Sequence, residues 1–325
     1  MSERDRHPIA SQPVRALRDA LARHAPFAAT RDEDYRLLMP GGPEGPRAVL
    51  WLGFGCNQRC DICWQDRDAP EPLPEVFARW LDELVDAGAR SLILSGGEPT
   101  LRDDLPSLVR RAKARDVHVV LETNATRLSD DALRHALRDA GLDAVSASLH
   151  AHDATISDAI TGAPGGHAQT LAGIEACLRD AMAVGIHCVV EARNVAHLGA
   201  HAALVATRLR GARRVSYSVP TRYLDEGRYR RSFAPLDVAR AQLAAASHAL
   251  RDAGVEVRTL GTGGFPRCVT DEAGPDRDLT ADEREGHVYA TVCDHCALRP
   301  RCVGVTPMYL DAWGERGLSP KRHTP

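Results

Sequence analysis

The stretch GCNQRCDICW occupies residues 55–64 and contains Cys56, Cys60 and Cys63 in the spacing Cys-x3-Cys-x2-Cys. It directly follows an apolar run at residues 48–54, which predicts a buried strand that ends at the first cysteine. Three thiolates on one loop suit a 4Fe–4S cluster that keeps one iron open to another ligand. A structural zinc site needs four protein ligands, so this alternative requires a distant fourth residue, and an incidental loop is a third interpretation.

Outward from this loop, apolar runs alternate with helical patterns along most of the chain. Further runs lie at residues 91–95, 117–122, 143–149, 186–191 and 214–219. Helical patterns lie at residues 75–88, 104–115, 129–140, 167–184 and 197–210, and a helix at 234–253 precedes a short strand near 255–258. Such alternation predicts βαβ units and a parallel sheet.

Several of these runs carry polar residues at every second position, which places them on one face of a strand. His118 and Glu122 share such a face in the third run, and His187 and Glu191 share one in the fifth. A parallel strand covered on both sides is apolar throughout. We therefore predict an α/β fold of the partial (β/α)6 TIM-barrel type, with a polar, ligand-filled lumen. Polar packing around water in a structural network is the alternative.

Three further motifs stand at the ends of successive runs. They are Ser95-Gly96-Gly97-Glu98-Pro99, Thr123-Asn124-Ala125-Thr126 and Ser148-Leu149-His150. With the three-cysteine loop, and in this order, they resemble the motifs of radical S-adenosylmethionine (SAM) enzymes, which have Gly-Gly-Glu-Pro, Thr-Asn-Gly and Ser-Leu-Asp or Ser-Leu-His there. The resemblance covers about residues 47–220. It departs at Ala125, where the family has glycine, and at Ile62, where it often has an aromatic residue.

The resemblance implies two cofactors, a 4Fe–4S cluster and SAM. Cys56, Cys60 and Cys63 would hold the cluster, whose open iron would chelate the amine and carboxylate of SAM. The other SAM-binding candidates are Gly96 and Gly97 for close backbone approach, Glu98 for the ammonium, Asn124 and Ser148 for ribose hydroxyls or the carboxylate, and Arg193 for the carboxylate. Hydrogen bonding unrelated to SAM is the alternative for the polar members of this set.

A second group of cysteines lies in the Gly- and Pro-rich tail, at Cys268, Cys293, Cys296 and Cys302. Four thiols suit either a zinc ion or a fully ligated 4Fe–4S cluster. The spacing of the last three resembles part of the SPASM pattern of radical SAM enzymes, but Thr306 stands where that pattern has its next cysteine. The resemblance therefore implies one auxiliary 4Fe–4S cluster in a shortened SPASM/twitch-like extension.

Composition limits the functions open to the chain. Its 325 residues carry a formal net charge of −3, which argues against binding of nucleic acid or anionic membranes through bulk charge. No apolar run approaches a membrane span and the N-terminus has no secretory h-region, so we expect a cytoplasmic protein. Nine cysteines in a reducing compartment favour cluster ligation over disulfides. Cys177 and Cys188, outside both groups, are predicted core residues rather than hydrogen donors to a radical.

The predicted organisation is an N-terminal extension at 1–46, a radical SAM core at 47–258 and a cluster-binding extension at 259–325. The resemblance implies reductive cleavage of SAM to a 5′-deoxyadenosyl radical, which abstracts a substrate hydrogen atom, with the electron supplied by a flavodoxin or ferredoxin. We expect oxidative modification of a peptide or amino-acid-like substrate. The alternatives are a small-molecule dehydrogenation, epimerisation or rearrangement, and a non-enzymatic zinc- or iron-binding protein.

Three side chains are candidates for proton transfer or substrate contact: His150, Glu122 and Glu191. Each falls on the polar face of its run or directly after it. A purely structural role is the alternative for all three.

Overall fold

The computed structural model describes residues 36–39, 45–63, 65, 71–220, 226–259, 265–270, 279, 284 and 286–321. The strands are β1 (Arg36–Met39), β2 (Arg47–Trp51), β3 (Ser91–Ser95), β4 (His118–Thr123), β5 (Ala144–Ser148), β6 (Val184–Val189), β7 (Arg214–Ser218) and β8 (Glu256–Thr259). The helices are α1 (Pro74–Asp86), α2 (Leu105–Lys113), α3 (Asp131–Asp139), α4 (Ala154–Thr161), α5 (Gly166–Arg179), α6 (Leu198–Arg208), α7 (Glu226–Ser232), α8 (Leu236–Asp252) and α9 (Pro307–Trp313).

Seven of the strands, β2 to β8, are parallel, and the sheet is not closed. This confirms the predicted α/β fold of the partial TIM-barrel type, and the short strand expected near 255–258 is β8, which pairs parallel with β7. β1, inside the predicted N-terminal extension, pairs antiparallel with β2.

The helix boundaries differ from the prediction in two ways. α5 ends at Arg179 rather than at residue 184, because the chain turns through Ala181 at φ 56° before β6 begins. α4, α7 and α9 were not predicted, and each has only 7 or 8 residues. Two helical turns hold too few apolar residues to establish a 3.6-residue period.

Contacts divide the chain into two compact units. Unit 1 comprises residues 1–57, 65–147 and 169–183, and unit 2 comprises residues 58–64, 148–168 and 184–325. β1 to β4 and nearly all of β5 belong to unit 1, whereas β6 to β8 belong to unit 2. The three-cysteine loop contributes Cys56 to unit 1 and its other two cysteines to unit 2.

The core of unit 1 follows the period of its strands. Leu92 and Leu94 of β3 and Val119 and Leu121 of β4 are fully buried, while the residues between them are partly or largely exposed. Burial of one such side chain contributes roughly 2 kcal/mol. The predicted separation into an apolar and a polar face therefore holds for β4, and β3 is buried with the same period of two.

Unit 2 is built in the same way. Ile186, Val215 and Val257 lie opposite one another in neighbouring strands and are buried. Cys177 of unit 1 and Cys188 of unit 2 are buried core residues, and burial raises the pKa of the Cys177 thiol to about 11. Among the helices in the described part of the chain, none is long and apolar enough to cross a bilayer.

Candidate active site

Two glycines bring the end of β3 against the backbone just before Cys56. The Gly97 and Glu98 amides donate to the carbonyls of Gly53 and Gly55 at 2.9 and 2.8 Å. A Cβ on Gly97 would lie 2.1 Å from the Gly55 oxygen, and one on Gly96, at φ 136°, would lie 2.6 Å from the Gly53 oxygen. Both positions thus require glycine for close backbone packing, in addition to any contact with SAM.

Glu98 is 2% exposed and ties the end of β3 to the end of β4. Its Oε1 accepts from the Thr100 amide at 3.0 Å, the Thr100 hydroxyl at 2.5 Å and the Thr123 hydroxyl at 2.6 Å, and its Oε2 accepts from the Asn124 amide at 2.7 Å. Burial raises the pKa of this carboxyl, and the four hydrogen bonds act against that rise. Oε1 is saturated, so a SAM ammonium would have to use Oε2.

The turn after β4 is linked to the first cysteine. Asn124 Nδ2 donates to Asn57 Oδ1 at 2.7 Å and lies 4.0 Å from Cys56 Sγ. Asn57 Nδ2 donates in turn to the Thr126 hydroxyl at 2.8 Å. Ala125 has φ 61°, a left-handed conformation that favours glycine. This explains physically why the related motif has glycine at the position of Ala125.

The other two cysteines of the loop lie in unit 2, where backbone bonds to α4 hold them. The Arg59 amide donates to the Thr161 carbonyl at 2.8 Å, and the Asp61 amide donates to the Ile160 carbonyl at 3.1 Å. Cys60 and Cys63, like Cys56, are partly exposed free thiols. Reduced, accessible thiols on an anchored loop fit a three-cysteine ligand set for a 4Fe–4S cluster. Within the described residues, no group of three or more His, Cys, Asp or Glu side chains is arranged to hold a single metal ion.

Arg193 and Glu191 form an ion pair after β6. Glu191 is 0% exposed, and its carboxylate accepts from the Arg193 amide at 2.8 Å and from Arg193 Nε at 3.0 and 3.1 Å. Arg193 Nη1 donates to the Asp61 carboxylate and to the Ala159 carbonyl, both at 2.9 Å. Burial raises the pKa of Glu191, and Arg193 opposes the rise. Through its bond to Asp61, Arg193 supports the cysteine loop. The sequence-based expectation for Arg193 was a contact with the SAM carboxylate.

His150 lies two residues after the end of β5 and is buried in unit 2. The Val189 amide donates to its Nδ1 at 3.2 Å, so the neutral ring carries its proton on Nε2. Burial lowers its pKa to about 3, with contributions from His187 and His201. His150 is therefore a neutral hydrogen-bond donor through Nε2. Ser148, the last residue of β5, is partly buried.

In unit 1, Glu122 lies on the face of β4 opposite its buried residues and is solvent-accessible. Its protein surroundings nevertheless raise its pKa by desolvation, and a hydrogen bond from Ser95 opposes the rise. His118, also on this face, lies at the start of β4, where its Nδ1 is 3.7 Å from Asp143. It is at the opposite strand end from Asn124.

Residues 52–204 match the family model described as the radical SAM superfamily. The match begins four residues before Cys56 and ends within α6, so it includes the cysteine loop and the three strand-end motifs. Residues 52–204 are a radical SAM domain. A domain of this superfamily implies a 4Fe–4S cluster and SAM, and its relatives are enzymes.

Several curated proteins are similar to parts of this chain. An AdoMet-dependent heme synthase of Methanosarcina barkeri is 33% identical over 56% of this chain and 53% of its own length. A pre-heme d1 synthase of Dinoroseobacter shibae is 38% identical over 46% of this chain and 38% of its own length. A PqqA peptide cyclase of Rhodopseudomonas palustris is 40% identical over 39% of this chain and 34% of its own length. The chain therefore spans about half or less of the length of these relatives.

Solved structures confirm the fold. The anSMEcpe structure with bound AdoMet and a Kp18Cys peptide has a TM-score of 0.60 at 16% identity, covering 84% of this chain and 92% of that one. The structure of Streptococcus suis SuiB bound to precursor peptide SuiA has a TM-score of 0.56 at 17% identity, and the match covers 66% of this chain and 48% of SuiB. At these identities the likeness concerns the radical SAM fold alone.

The four tail cysteines, which lie outside residues 52–204, line one cavity in unit 2. Cys268, Cys293, Cys296 and Cys302 share it with apolar residues, among them Leu298. The amides of Arg267 and Gly304 both point at Cys302 Sγ, at 3.4 Å. Burial raises the pKa of Cys293 and of Cys302, and the neighbouring thiols add to the rise. The sequence grouping of these cysteines is thus also a spatial grouping.

Sequence reasoning missed two residues that support the cysteine loop. Glu71 accepts from the Phe54 and Gly55 amides at 3.0 and 2.6 Å. Arg228 on α7 donates to carbonyls of the loop. Neither belongs to a motif. Because Arg is frequent along the whole chain, no local signal sets Arg228 apart.

Proposed function

We propose that this chain is a radical SAM oxidoreductase that modifies a peptide or amino-acid-like substrate. The observation that carries the proposal is the anchoring of the cysteine loop. In unit 1 the Gly96-Gly97-Glu98 motif and the Asn124 turn both bond to the segment around Cys56. When bound, the cluster and SAM supply a carbon radical that removes a hydrogen atom from the substrate.

The cluster ligands in this proposal are Cys56, Cys60 and Cys63. SAM would contact the backbone at Gly96 and Gly97, Glu98 Oε2, and the side chains of Asn124, Ser148 and Arg193. Asn124 has the strongest support among these, because its amide lies beside Cys56. Arg193 has the least, because its Nε and Nη1 are engaged by Glu191, Asp61 and Ala159.

Among the three candidates for substrate contact, His150 and Glu122 have distinct tasks. His150 donates a hydrogen bond through Nε2 and stays neutral at physiological pH. Glu122, with its raised pKa and accessible carboxyl, is suited to exchange a proton with a substrate. Glu191 would act indirectly, by holding Arg193.

The tail cysteines are proposed to hold an auxiliary 4Fe–4S cluster. An apolar cavity and N–H groups directed at a sulfur are the features that tune such clusters. Binding would also keep thiolates deprotonated against the raised pKa values of Cys293 and Cys302. The proposed division into an extension at 1–46, a core at 47–258 and a cluster-binding tail at 259–325 follows from this assignment.

A peptide substrate is supported by the PqqA peptide cyclase relative and by the peptide-bound SuiB and anSMEcpe structures. The heme synthase relatives and the probable GTP 3′,8-cyclases favour the second candidate, a small-molecule substrate. A flavodoxin or ferredoxin is the proposed electron donor in either case.

The first test is iron and acid-labile sulfide after anaerobic reconstitution. We expect about eight of each per chain, as two 4Fe–4S clusters require. About four with bound zinc would replace the auxiliary cluster by a zinc site, and no iron would overturn the proposal.

Substrate class is tested by SAM cleavage in the presence of candidate substrates. We expect cleavage to be coupled to modification of a peptide encoded by a neighbouring gene. Coupling only to a small metabolite would overturn the peptide assignment and support the second candidate.

A further inference from the structure

Arg228 closes the turn between the second and third loop cysteines from one side. Its Nε donates to the Asp61 carbonyl at 3.0 Å. Its Nη2 donates to the carbonyls of Asp61 at 2.5 Å, Cys63 at 2.7 Å and Cys60 at 3.4 Å. One guanidinium thus binds three of the carbonyls between residues 60 and 63, a use of its planar fork that lysine cannot reproduce.

The same turn is also bound to α4, through its backbone amides. Arg59 and Asp61 donate their amides to the last carbonyls of that helix. The turn therefore has little freedom to move. A displacement of its backbone would break the amide bonds to α4 and the carbonyl bonds to Arg228 at the same time. Hydrogen bonds to a charged group are stronger than those between neutral groups.

The residue next to Arg228 fixes α7 to the tail. Tyr229 is fully buried, its hydroxyl lies 2.5 Å from the Thr306 hydroxyl, and its ring stacks on Phe233 at 4.9 Å. Thr306 follows Cys302 by four residues. The helix that carries Arg228 is therefore held by its contacts with the tail and does not depend on the cysteine turn for its position.

We propose that Arg228 is a positioning residue for the cluster that Cys56, Cys60 and Cys63 hold. In the metal-free chain, Arg228 fixes the backbone conformation of residues 60–63. Once the cluster is bound, its guanidinium provides a permanent positive charge close to the cysteine ligands. A positive charge stabilises the reduced, more negative state of a cluster and raises its reduction potential. Only the effect on the reduction potential rests on the proposed function, because the effect on the turn concerns the metal-free chain.

The first measurement is amide hydrogen exchange of residues 59–63 in the full-length, metal-free protein. We expect Arg228→Gln to speed exchange there by about tenfold or more, the change that corresponds to a loss of 1.4 kcal/mol. Arg231→Gln is the matched control, because Arg231 is an exposed arginine on the same helix. Equal exchange in the two variants overturns the proposed hold on the turn.

The second measurement is the potential of the reconstituted loop cluster, with its electron paramagnetic resonance signal. We expect Arg228→Gln to shift the potential to more negative values and to alter the signal, and Arg231→Gln to do neither. Arg228→Lys retains the charge, so it should restore the potential better than it restores exchange protection. A potential unchanged in Arg228→Gln overturns the electrostatic part. Wild-type protein that takes up no iron would instead overturn the proposed function, while the exchange experiment still judges Arg228.

Discussion

The Glu98 carboxylate accepts from Thr100, Thr123 and Asn124, so it holds two strand ends together with or without a bound ligand. Removal of one partner of a buried, charged hydrogen-bond network costs more than the loss of a single contact. Any Glu98 variant therefore changes the backbone that presents Asn124 as well as a possible SAM contact. SAM affinity alone cannot separate these effects, and the stability of the metal-free variant is needed beside it.

His187 gives a pH prediction at the same scale. Its Nε2 lies 2.9 Å from the Ser218 hydroxyl, and burial lowers its pKa from 6.5 to about 4. The unfolded chain binds a proton as pH falls through 6.5, whereas the folded chain does so only near pH 4. The stability that His187 contributes is therefore present above pH 6.5 and is lost as pH falls toward 4.

We expect His187→Gln to remove about 2 kcal/mol of the stability loss that metal-free protein suffers between pH 7 and pH 5. Urea unfolding at both pH values measures it. His248→Gln is the comparison variant, because the His248 side chain is 81% exposed. An identical pH dependence in the wild type and His187→Gln would contradict the assignment.

At the residue scale, motif resemblance identified side chains but not their tasks. Arg193 was found by its place after the fifth run, yet its contacts are with Glu191, Asp61 and Ala159. Those partners come from distant segments, and sequence spacing carries no information on which of them an arginine will reach. Ala125 is a case in which the motif did carry structural information. The glycine of the related motif indicates a left-handed backbone conformation, and Ala125 has a φ of 61°.

At the scale of elements, the approach of the β3 end to the segment before Cys56 is the decisive contact. It depends on the absence of a side chain at Gly97, since a Cβ there would meet backbone atoms of Phe54 and Gly55 at 2.6 Å or less. Backbone atoms cannot yield in the way that a flexible side chain can. A substitution must therefore displace the segment that leads into Cys56.

We expect Gly97→Ala to destabilise the protein by roughly 1–3 kcal/mol and to reduce the iron retained after reconstitution. Gly199→Ala is the control, because a Cβ there meets nothing within 4 Å and the residue lies in the first turn of α6. Alanine in a helix is favoured over glycine by up to about 1 kcal/mol, so this variant should keep its iron and gain stability. Equal iron in both variants would refute the packing argument.

The strands and long helices were predictable because their periods are sustained over enough residues. The face of β4 that carries Glu122 was also predicted, since alternation alone determines it. The helices α4 and α7 were not, and both bond to the cysteine loop. Short helices positioned by tertiary contacts leave no periodic signal, so the supports of the loop were invisible in the sequence.

At the scale of the whole molecule, the tail cavity links cofactor loading to stability. The described tail contains few regular elements besides α9, so a cluster bound by Cys302 and its three neighbours would supply much of its folding free energy. We expect reconstitution to raise the melting temperature by about 5 °C or more.

Cys302→Ala should remove most of this increase. Cys177→Ala is the matched control: it creates a core defect in α5 that lowers the melting temperature of both forms and preserves the difference between them. Calorimetry of paired metal-free and reconstituted samples measures the effect. An undiminished increase in Cys302→Ala would show that the tail binds no stabilising cluster.

The bond between Arg228 and Asp61 spans 167 residues of chain. A ribosome adds about 5–20 residues per second, so the three loop thiols emerge on the order of ten seconds or more before the arginine that sets their turn exists. During that interval Glu71 and α4 are available to hold the loop, but the carbonyls of Asp61 and Cys63 lack the guanidinium that binds them in the finished chain. A chain that ends before residue 228 would therefore present the three thiols on a loop from which part of its support is missing.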